Sequence, residues 1–142
     1  MSTAPCFTYG SLMWADIMAR VCGREFTGEP ASLAGHRRHP VRGQDYPGLR
    51  PAADGVVAGR LYRGVDAAAW ERLDAFEGDE YERVDVVVSL ADGRTLPAQV
   101  YRFREAFVQR LLPGDWDADA FEREGRARFI ARYAGFGAVA PR

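Results

Sequence analysis

The residues most able to do chemistry lie in two short stretches. "LDAFEGDEYERV", residues 73–84, holds five acids: Asp74, Glu77, Asp79, Glu80 and Glu82. Asp79 and Glu80 read as a solvated charge run. Glu77 differs, because it falls one turn after Leu73, beside Phe76, in the last helical turn before Gly78. A carboxylate at a helix C-terminus is disfavoured by the backbone dipole. Partial burial there raises its proton affinity further, which is how a general base is tuned toward neutral pH. The second stretch is "CFTYGSLM", residues 6–13, where an apolar run meets Gly10-Ser11 and passes into a helix pattern. Such a break leaves backbone N–H groups able to hold a carbonyl or an anion.

Other chemistries find less support. His36 and His39 in "GHRRHP" would point to opposite faces of a strand, and no third ligand stands at motif spacing, so no metal site is expected. Arg37, Arg38 and Arg42 nearby read as a solvated face. All 19 basic residues are arginine. The missing lysine removes Schiff-base chemistry and the lysine of a phosphate-binding P-loop. No Ser-His-acid or Cys-His signature is present. No cofactor is implied.

These groups need elements to position them. The chain reads as short strands broken by glycine and proline: "PCFTYG", "ASLAGHRRHPV" (31–41), "DGVVAGRLYRGV" (54–65), and a hairpin of 82–90 with 95–104 around Asp92-Gly93. Pro97 places the last strand at an edge or near its own beginning. One helix follows Ser11 as N-cap and stops at Gly23. A second runs from an Asp66 N-cap to Gly78. A third covers about 115–136, with Phe121, Phe129, Ile130 and Tyr133 on one face and Gly125 as its weak point. The loop 43–51 offers Pro47-Gly48 as the corner of a type II turn. Scattered helices among strands predict an α+β fold, a small mixed β-barrel with flanking helices, forming one domain over 1–142.

Charge is nearly balanced, with 20 acidic residues against those arginines, so no global field draws the chain to nucleic acid or an anionic membrane. Cys6 and Cys22 do not make a disulfide framework and read as buried thiols. No apolar run spans a membrane, and "MSTAP" lacks the charged start of a secretory signal. A cytoplasmic protein is expected, with no nucleic acid or membrane partner.

"YGSL" at 9–12 after an N-terminal strand, followed by "LDAFEGDEYER" at 73–83, resembles the γ-glutamylcyclotransferase-like family in its AIG2-like branch. "GRLYRGV" and "AQVYRF" stand where that family's barrel strands would be. The resemblance implies that Tyr9, Gly10, Ser11 and Leu12 form the substrate-binding loop for a γ-glutamyl or 5-oxoproline group, with Met13 and Trp14 continuing it. It implies that Glu77 is the catalytic proton acceptor. Tyr81 and Arg83 match its Tyr-x-Arg, for which structural and catalytic roles both stand open. Tyr101 is either core or a hydroxyl offered to the pocket. The activity implied is cleavage of a γ-glutamyl amide to 5-oxoproline and a free amine, with a small-molecule substrate. The rival is a non-catalytic metabolite-binding protein that keeps the fold and Glu77.

Overall fold

Side chains along a strand alternate between faces, and here both faces find apolar partners. On β1 (Cys6–Thr8), Phe7 enters one buried cluster and Cys6 another. The same division separates Leu61 from Tyr62 on β3 (Pro47–Tyr62) and Val100 from Tyr101 on β5 (Thr95–Phe103). One set fills the inside of a barrel. The other meets the helices. The computed structural model describes residues 4–132, and within them β2 (Gly28–Pro40) and β4 (Tyr81–Leu90) complete a closed barrel in the order β1-β3-β2-β4-β5. Neighbours pair antiparallel except β1 with β5, which are parallel and meet at Cys6 and Gln99. The fold is therefore the expected α+β mixed barrel.

Helix α1 (Ala15–Cys22) buries Ile17, Met18, Val21 and Cys22. Helix α2 (Ala67–Glu77) begins where Asp66 accepts a hydrogen bond from the Ala69 N–H, as its sequence predicts. It ends at Gly78, whose φ of 75° suits glycine and whose N–H donates to the Asp74 carbonyl. The Asp92-Gly93 hairpin also forms, joining β4 to β5. Pro97 lies early in β5, beyond the point where β1 pairs with it.

Three expectations are corrected. Ser11 does not cap α1: it opens a single 3₁₀ turn, Ser11–Met13, and α1 begins only after Trp14. Pro47-Gly48 is not a turn corner, because both residues already lie in β3, opposite Pro40 and His39. The third helix starts at Ala118, capped by Asp117, rather than at 115. It runs as α3 (Ala118–Ala120), then through a π-helical segment, Phe121–Gly125, where the glycine falls, into α4 (Arg126–Arg132). Phe121 and Phe129 are buried as expected and Ile130 packs beside them, while Tyr133 lies outside the described residues. Cys6 and Cys22 are free, buried thiols, and burial raises both, Cys22 to about 12. Among the described residues, no helix is long and apolar enough to cross a membrane.

Candidate active site

A cavity of about 570 Å³, open mouth included, lies between the end of β1 and the end of α2. Tyr9, Gly10, Ser11 and Leu12 line it from the loop after β1, Phe76 and Glu77 from the last turn of α2, and Tyr101 from β5. Tyr81 and Phe129 also line it, together with Tyr46 and Pro47 from the segment entering β3. The fold thus brings together, across a long stretch of sequence, the loop and the carboxylate singled out above. Met13 and Trp14 are not brought in. Trp14 packs on Phe121 and Trp116 and donates to Glu122, while Met13 offers its carbonyl to Tyr62 at 3.2 Å.

Side chains from the surrounding strands hold the loop in place. The Tyr62 hydroxyl donates to the Leu12 carbonyl at 2.8 Å, and the Tyr9 hydroxyl donates to the Tyr101 carbonyl at 2.7 Å. Within the turn, the Met13 and Trp14 N–H groups bond back to Gly10 and Ser11. The N–H groups at the start of such a turn have no partner within it. Gly10 is required sterically, since a Cβ there would stand 2.7 Å from Pro47 Cδ and Cγ. Pro47 is itself pinned, because its carbonyl accepts from the Tyr81 hydroxyl at 2.7 Å. This gives Tyr81 a structural contact as well as a place in the pocket wall.

The electrostatics centre on Glu77. Burial of its carboxyl, with the nearby Asp74 charge adding to it, pushes Glu77 up to about 8. Asp74 lies three residues earlier on the same helix face. It accepts a hydrogen bond from Tyr101 Oη at 2.6 Å and stands 3.4 Å from Arg83. Arg83 in turn lies 4.6 Å over the Trp70 ring. Burial raises the hydroxyls of Tyr9 and Tyr81 well above the usual tyrosine range, and burial with Asp74 does the same for Tyr101. These tyrosines therefore act as neutral donors.

Two readings from the sequence change. Glu80 is not part of a solvated run: it pairs with Arg110 and accepts from the Tyr46 hydroxyl at 3.2 Å, while Asp79 is exposed as expected. Arg38 is not on a solvated face either, as its side chain is only 13% exposed. Of the residues that the sequence did not assign to the site, Asp74 was detectable from its i−3 spacing to Glu77. Tyr46, Pro47 and Arg38 carried no local signal.

The sequence pattern of the family described as "Gamma-glutamyl cyclotransferase, AIG2-like" matches residues 6–118. The chain belongs to this family. AIG2-like protein D of Arabidopsis thaliana is 36% identical over 133 residues, covering 90% of this chain and 87% of that one. AIG2-like protein A of the same plant is 30% identical over 128 residues, covering 89% and 77%. An Arabidopsis thaliana protein solved in solution superposes with a TM-score of 0.68 at 28% identity, over 93% of this chain and 89% of that chain. A structure titled gamma-glutamyl cyclotransferase has a TM-score of 0.59 at 13% identity, over 71% and 66% of the chains, a likeness of fold.

Proposed function

We propose that this family member is a cyclotransferase that cleaves a γ-glutamyl amide to 5-oxoproline and a free amine. The observation that carries this reading is the shared pocket, in which the Glu77 carboxyl and the Tyr9–Leu12 loop both face the cavity. The raised proton affinity of Glu77, about 8, fits a group that must take and return a proton near neutral pH.

The chemistry asks little more. The neutral α-amine of the substrate attacks its own γ-carbonyl and forms the new C–N bond. Intramolecular attack carries a large effective molarity once the substrate is folded into the cyclising shape. The proton shed by the attacking nitrogen passes to the Glu77 carboxylate. Negative charge on the former carbonyl oxygen is met by backbone N–H groups of the Tyr9–Leu12 loop. The intermediate collapses by breaking the original γ-C–N amide bond, and Glu77 returns its proton to the departing nitrogen. Bonds and protons balance without a covalent nucleophile.

Incubation with a panel of γ-glutamyl amides, reading 5-oxoproline by mass spectrometry, tests the reading. Turnover of at least one member that is lost in Glu77→Gln is the expected result. Tight binding of 5-oxoproline with no turnover of any amide would instead favour the non-catalytic binder.

A further inference from the structure

Arg38 sits on β2, outside the catalytic pocket, yet it reaches the loop that lines it. Its guanidinium donates from Nη1 to the Tyr9 carbonyl at 2.8 Å. The other edge of the guanidinium forms a two-bond fork with Asp115, at 2.9 and 3.0 Å. The plane lies 5.2 Å over the Trp116 ring. Fork and ring together fix a flat cation in one orientation. Arg38 and Asp115 line a separate groove, shared with His39 and Gly114.

The consequence follows from peptide geometry. No cis peptide occurs among the described residues, and in a planar trans peptide the carbonyl and the next N–H point in opposite directions. The Tyr9 carbonyl is held by Arg38, a residue that does not line the pocket. The N–H of Gly10, on the other side of the same peptide plane, is thereby held pointing away from Arg38, and Gly10 itself lines the cavity. Without the cation, a loop glycine has wide freedom to rotate that plane.

We propose that Arg38 is a positioning residue: by holding the Tyr9 carbonyl, it aims the Gly10 N–H at the carbonyl oxygen of the bound glutamyl group. Asp115 acts one step further out by orienting the guanidinium. The proposal rests on the cyclotransferase reading for its catalytic consequence, but not for its structural content. A donor misplaced by about an ångström can cost roughly 10²-fold in rate, so a loss through Arg38 falls between roughly 10- and 10²-fold.

The test uses the full chain labelled with 15N and titrated with 5-oxoproline. In the wild type the Gly10 amide resonance should move as the lactam saturates. Arg38→Met should retain a thermal midpoint within a few degrees, weaken the lactam about 10-fold and lose most of the Gly10 shift. With a γ-glutamyl amide that the wild type turns over, kcat should fall 10- to 10²-fold and KM should change less. Arg38→Lys, which keeps one donor but not the fork, should fall between. Wild-type lactam affinity and an unaltered Gly10 shift in Arg38→Met would overturn the proposal. If Arg38→Met does not fold, Arg38→Gln takes its place, and wild-type lactam affinity with an unaltered Gly10 shift there overturns it equally. If the wild type turns over no γ-glutamyl amide but binds 5-oxoproline in an Arg38-dependent way, the cyclotransferase reading fails and the positioning role stands. A Gly10 amide unmoved by 5-oxoproline in the wild type refutes the positioning role.

Discussion

The chemistry turns on how one carboxyl is held. Glu77 ends a helix whose dipole disfavours its charge, lies where its carboxyl is desolvated, and faces Asp74 one turn back. Glu77→Gln keeps size and polarity but cannot accept the amine proton, so kcat should drop by roughly 10²–10⁴ with lactam binding retained. Retention of most of the wild-type rate would falsify the assigned role. Asp74 offers a subtler check. Asn at this position still accepts the Tyr101 hydrogen bond but removes the neighbouring charge. The rise of kcat/KM with pH, expected near pH 8 in the wild type, should then move to lower pH in Asp74→Asn. The move should be partial, since burial is the larger cause of the shift. An unmoved profile would show that Asp74 does not sense Glu77. Asp79→Asn should leave turnover unchanged. Glu80→Gln should not be silent, because it loosens the Arg110 pair beside Tyr46 at the pocket wall.

At the scale of elements, what could be read in advance was what local chemistry dictates. Asp66 and Gly78 bracket α2, Asp92-Gly93 turns the hairpin, and alternation marks the strands. These signals act over a few residues, and the structure contains each of them. The misread features are set from far away. Pro47-Gly48 has the composition of a turn, yet pairing with His39 and Pro40 draws it into β3. Arg38 looks solvated until Asp115 and the Tyr9 carbonyl arrive from 77 and 29 positions away. The site was half visible for the same reason. The Tyr9–Leu12 loop and Glu77 each carry a local pattern, whereas Pro47 enters only by closing on Gly10. That closeness is testable. Gly10→Ala places a Cβ 2.7 Å from the Pro47 ring, too near to be absorbed without moving the loop. The contact touches only the first residue of β3, so the far-ultraviolet circular dichroism should stay native. Binding of 5-oxoproline should fall by at least 10-fold. Native affinity would mean that the loop adjusts without cost and that its geometry is not set by Pro47.

The whole molecule registers the burial of Glu77 through its stability. In the unfolded chain the carboxyl ionises near its ordinary value of 4.5, whereas in the folded protein it holds its proton to about 8. Below pH 4.5 both states carry the proton and the group contributes its full share. Between pH 4.5 and 8 the unfolded state sheds the proton while the folded state keeps it, so rising pH favours unfolding. The loss reaches at most about 1.4 kcal/mol per pH unit and ends once the folded carboxyl also ionises. Every other titrating group is common to wild type and Glu77→Gln, so the difference between the two isolates this one. Their thermal midpoints should lie close together near pH 4.5. The variant should become progressively the more stable of the two up to about pH 8, and the gap should then level off. Calorimetry across that range reads the result directly. A gap that stays constant from pH 4.5 to 8 would mean that Glu77 ionises normally in the fold, and the pocket would then lose its near-neutral base.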